Sequence, residues 1–335
     1  MKNFITRLGR RTAIAAIAAM TCTLAVGVST AAQADKFPDK PITLYVGFAA
    51  GGSADSIARA LADEMSKSLG QRVIIDNRSG ASGNIATQLV LGKEADGYSL
   101  LFAAIHLATN PALIGVKYDP TKDLTMVSQI TSVPVVMLAS NASGIKSPDE
   151  VDAAAKRASG GLRVGSGGVG TSSHLAMELY KRARGTSMIH VPYRGGAPAN
   201  QDLMGGQIDM MFDLMSGSLK GTVDAEKIRP LAVMQKDRIP GLPNVKSAGE
   251  LGLPPSTFIR SWQGIAVRAG TPAPIVARLH QAVVAAASSD TFKHRAEQLG
   301  SEVMTSKTPK DFETLYAAEL TRWSALIKAA DIKAE

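Results

Sequence analysis

Beyond residue 36, short apolar runs alternate with segments whose apolar residues recur every three or four positions. The short runs lie at 42–48, 73–76, 99–104, 124–130, 134–139, 162–165, 188–191, 208–214 and 228–233, and each predicts a strand. Between them, Ile57, Leu61 and Met65 mark one helix face, residues 147–158 carry a helical pattern, and Ala176, Leu179, Tyr180 and Ala183 mark another face. The last hundred residues are mostly helical in pattern, at 274–288, 291–299 and 310–330. Strands alternating with helices predict an α/β fold of parallel sheets with helices on both faces. No low-complexity linker and no solenoid repeat interrupts this order.

The first 34 residues differ in kind. Lys2, Arg7, Arg10 and Arg11 precede a mostly apolar run over 12–28, followed by the small-x-small triplet Ala32-Gln33-Ala34. This is the pattern of a secretory leader, with cleavage expected after Ala34. The run is short for a membrane anchor and is broken by threonines. Cleavage removes Cys22, the sole cysteine, so the exported chain is expected to have no disulfide, no thiol nucleophile and no cysteine metal site. It also removes four cations and no acids, which takes the formal charge from +8 to +4. Aromatics are scarce and no Lys/Arg block interleaves with them, which argues against nucleic acid as a partner. About 300 residues can bury a core unaided, in roughly two lobes, and a monomer is expected.

Two glycine-rich loops carry the chemistry. Phe48-Ala49-Ala50-Gly51-Gly52-Ser53-Ala54-Asp55 follows the first predicted strand, and residues 165–173 follow another about 115 residues later. Each joins a strand to a helix and places hydroxyls at the helix start. Such a turn presents free backbone N–H groups and the positive end of a helix dipole, and small residues let an anion come close. Two such loops in separate lobes point to a clamp around an anionic ligand. A third loop, residues 79–84, also lies between a strand and a helical pattern.

The second loop contains Gly165-x-Gly167-x-x-Gly170, the spacing of a dinucleotide-binding turn. The acid that should meet the ribose about 20 residues on is absent: the next strand ends in His190-Val191-Pro192-Tyr193-Arg194-Gly195-Gly196. An exported chain is also a poor host for nicotinamide cofactors, and no cofactor is expected. A secreted hydrolase would need a nucleophile elbow, and Ser166 lacks the G-x-S-x-G setting. None of the five histidines has the carboxylate or histidine spacing of a zinc site, so no metal is expected.

Five stretches then occur in order: FAAGGSADSIARAL, DNRSGASGNIA, GSGGVGTSSHLAMELY, HVPYRGGAPANQDLMGGQIDMMFD and SWQGIAVRAGTP. They resemble the substrate-binding proteins of tripartite tricarboxylate transporters, the Bug family, from about Phe37 to the C-terminal helix. The resemblance implies a two-lobed, type II-like periplasmic binding protein, each lobe a mostly parallel sheet flanked by helices, with a ligand cleft between. It implies no catalysis, a small carboxylate as ligand, and delivery to membrane permease subunits. Carried over, the first jaw would comprise Phe48, Ala49, Gly51, Gly52, Ser53 and Asp55, with Ser82, Gly83 and His106 beside them. The second would comprise Ser166, Gly167, Gly168, Thr171, Ser172 and His174, with Tyr193, Arg194, Gly195 and Asp213 at strand ends. Asp55 also suits a purely local role, complementing the helix dipole and pairing with Arg59.

Two departures from the family pattern stand out. Ala49-Ala50 replace the usual proline-rich entry to the first loop. Residues 103–109, AAIHLAT, replace a segment usually rich in small hydroxyl residues. Fewer hydroxyls and two large aliphatics favour a carboxylate with an aromatic or otherwise apolar body, with Phe48, Ile105 or Leu107 against it. The expected division is 35–133 for the first lobe, 134–234 for the second with a return as late as about 262, and 235–335 for the return to the first. Hinges are expected near 132–134 and between 233 and 262. A sensor that passes its closed state to a signalling partner would need the same clamp.

Overall fold

The computed structural model describes residues 37–334; the leader and cleavage site expected over 1–34 lie outside the described residues. Strand β1 (Ile42–Val46) lies between β2 (Val73–Asn77) and β3 (Ser99–Ala104), all parallel. Helix α1 (Ser53–Leu69) makes the first crossover and α2 (Asn84–Leu91) the second. Ile57, Leu61 and Met65, spaced one turn apart, are fully buried on the face of α1 toward the sheet. Helix α3 (His106–Leu113) then leads into β4 (Leu124–Ser140).

β4 is one 17-residue strand where the hydrophobic pattern predicts two. Thr131 and Ser132 interrupt the apolar run, yet both pair with β9 (Arg260–Arg268), so the ladder continues through them. The first half of β4 belongs to the first lobe, in the order β2-β1-β3-β9-β4. Its second half pairs with β7 (Met210–Leu214) and β8 (Ile228–Val233) of the second lobe. β5 (Leu162–Ser166) and β6 (Met188–Pro192) complete that lobe in parallel register.

The sheet is therefore mixed. The predicted parallel βαβ pairs form, but β9 runs antiparallel to both β3 and β4, and β4 runs antiparallel to β7 and β8. β9 does not stand out in the sequence because its buried run holds Ser261, Gln263 and Gly264 among the apolar residues. The helix expected over 147–158 divides into a 3₁₀ turn, Pro148–Glu150, and α4 (Val151–Arg157).

Helices α5 (Ser172–Arg184), α6 (Gly196–Met204) and α7 (Gly217–Asp224) belong to the second lobe. The chain ends with α8 (Ala273–Ser288), α9 (Asp290–Gln298), a two-residue strand β10 (Glu302–Val303) against β4, and α10 (Pro309–Ala329). One core cluster packs α1, α8 and α9 on β1, β3 and β9. Another lies under α6, α7 and residues 239–242 in the second lobe.

Candidate functional site

A cavity lies where the C-terminal ends of strands from both lobes meet, the place ligands occupy in open α/β sheets. Four helix N-termini line it: Gly52 and Ser53 at α1, Ile105 and His106 at α3, Thr171 and Ser172 at α5, and Gly195 and Gly196 at α6. Each contributes unsatisfied backbone N–H groups and a partial positive charge. Among the described residues no lysine or arginine lines the cavity. Its attraction for an anion comes from oriented dipoles and hydroxyls, not from a counter-ion.

The jaws touch. Ala49 N–H donates to the Arg194 carbonyl at 2.9 Å, Ser218 Oγ to the Gly51 carbonyl at 2.7 Å, and Thr109 Oγ1 to the Gly170 carbonyl at 2.6 Å. Gly195 makes this approach possible. Its φ is +126°, and a Cβ there would lie 3.0 Å from Ala49 N. In this closed form the centre of a water-sized sphere can reach about 50 Å³, room for only a few waters or a compact ligand.

Several polar groups at the cavity have no hydrogen-bond partner among the described residues. They are Ser53 Oγ, both ring nitrogens of His106, and Gln263 Nε2, whose Oε1 accepts from Thr131 Oγ1 at 3.0 Å. Burial pushes His106 down to about 3, so its imidazole is neutral, with one donor and one acceptor; Phe48 meets the ring edge-on at 5.2 Å. Asp213, at the end of β7, is buried against Gly196, where any Cβ would collide with the carboxylate. Burial pushes its carboxyl up to about 7, offset only by the Leu214 N–H.

Of the residues singled out in the sequence, Phe48, Gly52, Ser53, His106, Gly167, Thr171, Ser172, Gly195 and Asp213 come together on this cavity. The others sit around it in different settings. Ala49, Gly51 and Arg194 join the jaws through backbone atoms, and the Arg194 side chain is exposed. The Asp55 carboxylate accepts from Gly51 N–H, Arg59 and Asn77; burial alone would raise it, but these bonds outweigh burial and hold it below the usual range. Gly83 packs behind the His106 ring, and the Ser82 carbonyl accepts from Asn110. Tyr193 donates to Asp202 at 2.6 Å.

Ser166 and His174 lie beneath the second jaw, whereas a Cβ at Gly168 would lie 3.2 Å from Ser82 Oγ of the first jaw. Ser166 Oγ is 2.6 Å from His190 Nε2, a spacing a nucleophile and base would share, yet Ser166 is fully buried and does not line the cavity. His174 stacks on His190 at 4.1 Å and accepts the Gly170 N–H through Nδ1. Burial, then the neighbouring His190 and Lys181, push His174 down to about 3; burial and Lys181 push His190 to about 4.

Ile105 and Leu107 are both buried in one core cluster, and Ile105 also lines the cavity. Sequence reasoning missed Ala54, Ala104, Ser173, Gly196, Leu214, Ser261 and Gln263 as lining residues. The last two depend on β9. The available signal was a polar Ser-x-Gln pair inside an apolar run, which reads equally well as a strand edge.

Two lobes joined by a shared strand, with a cleft walled by helix N-termini, define a solute-binding protein of the two-lobed periplasmic type. Residues 57–332 match the tripartite tricarboxylate transporter family receptor model, and the chain belongs to that family. Its fold is similar to the periplasmic binding protein BugD, with a TM-score of 0.84 and 30% identity, covering 89% of this chain and 99% of that one. It is also similar to the Rhodopseudomonas palustris protein MatC with bound malate (TM-score 0.81, 31% identity, covering 87% and 100%). A third similar structure is the R. palustris protein Rpa4515 with adipate (TM-score 0.83, 33% identity, covering 89% and 99%). Binding proteins of this family are periplasmic.

Proposed function

We propose that this chain captures a small carboxylate with an apolar body and delivers it to the membrane subunits of a tripartite transporter. The observation that carries this is the convergence of four helix N-termini on a cavity with no lysine or arginine in its lining among the described residues. Ser53 Oγ and Gln263 Nε2 have no partner among the described residues and are free to donate to a ligand or water. A ligand carboxylate meets the N–H groups at α1 and α5, and Asp213, when protonated, donates to it. Phe48, Ala104, Ile105 and Leu214 surround the ligand body. MatC and Rpa4515 were solved with malate and adipate, two small dicarboxylates, which supports the ligand class. The role is binding and hand-over, without turnover, in the periplasm after cleavage behind Ala34.

The proposed lobes are 35–133 with a return after residue 259, and 134–234 extended by the segment to that return. Ile239 and Leu242 pack with Val136 and Met211 of the second lobe, which supports this late return. The hinges are then β4 near Ser132–Pro134 and the entry to β9 at Arg260, paired with each other in register. Closure about them traps the ligand.

Calorimetric titration with adipate, phenylacetate, malate and citrate tests the ligand. Adipate or phenylacetate is expected to bind at least tenfold more tightly than citrate. Binding of citrate alone would sink the apolar-body assignment, and no binding of any acid would sink the receptor role.

A further inference from the structure

Successive residues of β9 face opposite sides of the sheet. Ser261 and Gln263 face the cleft, while Arg260 and Trp262 line a separate groove. By the same measure as the cleft, this groove offers about 520 Å³. It lies at the crossing of β4 and β9, closed on its far side by residues 235–237 and by α10.

Its lining carries three cations, Lys236, Arg260 and Arg322, against two acids, Asp237 and Glu319. Trp262 is 5% exposed, and its indole Nε1–H has no partner among the described residues. The ring is held edge-on against Phe312 at 5.6 Å and Tyr316 at 6.0 Å. Arg260 is held by the Ser132 hydroxyl and carbonyl, both at 2.8 Å, and by Gln235 Oε1, with Glu302 at 3.5 Å. Lys236 is exposed at the rim with no acidic partner among the described residues. Of the acids in the lining, Glu319 is engaged by Trp323 Nε1 at 2.8 Å and by Arg322 at 3.1 Å, and Asp237 stands beside Lys236 in the chain. Phe258, Leu315 and the 42% exposed Met304 supply an apolar wall. A buried donor without an acceptor is costly, as is an exposed apolar wall, and both are relieved by one kind of occupant.

We propose that this groove is a second ligand site, for an amphiphilic organic anion: a carboxylate or sulfonate on an aromatic or alkyl body. The anionic end meets Lys236, Arg260 and the Trp262 N–H, and the body lies along Phe258, Met304 and Leu315. The site is separate from the cleft, divided from it by one strand.

Titration of the full chain with 8-anilinonaphthalene-1-sulfonate tests this, with excitation of its two tryptophans, Trp262 and Trp323. One saturable site with tryptophan quenching is expected, weakened at least tenfold in Lys236→Glu and in Met304→Glu. Both side chains are exposed, so the thermal melts of the variants should match the parent. Saturating adipate should leave the dye in place. Absence of saturable binding, unchanged affinity in both variants, or full displacement by adipate would each overturn the proposal.

Discussion

The two jaws begin from the same sequence idea, a glycine-rich turn into a helix with hydroxyls at its start, but they are wired differently. In the second jaw nearly every polar side chain is internally engaged. Thr171 Oγ1 donates to the Gly168 carbonyl at 2.6 Å and lies 2.9 Å from Ser173 Oγ, which accepts the Gly167 N–H at 2.9 Å. His174 holds the Gly170 N–H from below. In the first jaw Asp55 does the internal work, and Ser53 Oγ at the cavity has no partner among the described residues. The second jaw is thus a preorganised surface, and the first offers the free hydroxyl. Preorganisation lowers the ordering cost of binding, while a free polar group draws its partner from the ligand.

The sharpest way to break this comparison is to stop the jaws from meeting. Gly195→Val combines a φ that L side chains rarely adopt with a Cβ against Ala49 N, so carboxylate affinity should fall at least a hundredfold in calorimetry while far-UV circular dichroism is retained.

Next in size is a pH effect on the unliganded protein. Buried His106 and His174 and the half-buried His190 have folded pKa values of about 3, 3 and 4, below their ordinary 6.5, so each favours folding above pH 6.5 and loses that contribution as the unfolded chain takes up a proton below it. Asp213 has the opposite sign: its pKa is raised from 3.8 to about 7, so it favours the folded state at low pH and loses that contribution as pH rises from about 4 to 7. Between pH 6 and 5 the unfolded chain therefore binds about two more protons net, and urea melts should lose about 2–3 kcal/mol per pH unit. Asp213→Asn removes the opposing group and should steepen that slope by about one proton. An unchanged slope would show that Asp213 is ionised in the free protein.

The smaller effects separate the jaws directly. Thr171→Ala removes an N-cap and two contacts of the second jaw and should cost about 1–2 kcal/mol in urea melts. Ser53→Ala should leave stability within about 0.5 kcal/mol, because its hydroxyl bonds nothing among the described residues, yet weaken the carboxylate about three- to tenfold. A reversed order, with Ser53 costly to stability and Thr171 silent, would remove the distinction between a wired jaw and an open one.

Much of this was legible in the chain. The period-two and period-3.6 patterns located the parallel strands and their crossover helices, since burial of one face writes itself into local spacing. The glycine loops were legible as anion-facing helix starts, because a close backbone approach requires small residues there. Asp55 was ambiguous in sequence, and the tertiary contact with Asn77 is what ties it into the jaw's own network.

What the sequence determined is the inventory: alternating strands and helices, two bare helix N-termini, and Asp213 at a strand end. The fold decided the rest. It made β4 a single strand serving both lobes, because pairing with β9 carries the ladder through Thr131 and Ser132 where hydrophobicity breaks. It brought Gln263 and Ser261 to the cleft from a segment about 90 residues after the second-jaw loop. It also placed Ser166 against His190 beneath the loop and out of the cavity. Local patterns record which face of an element is buried. Which elements meet across a cleft is set by strand order and pairing partners distant in sequence, and no local spacing encodes that.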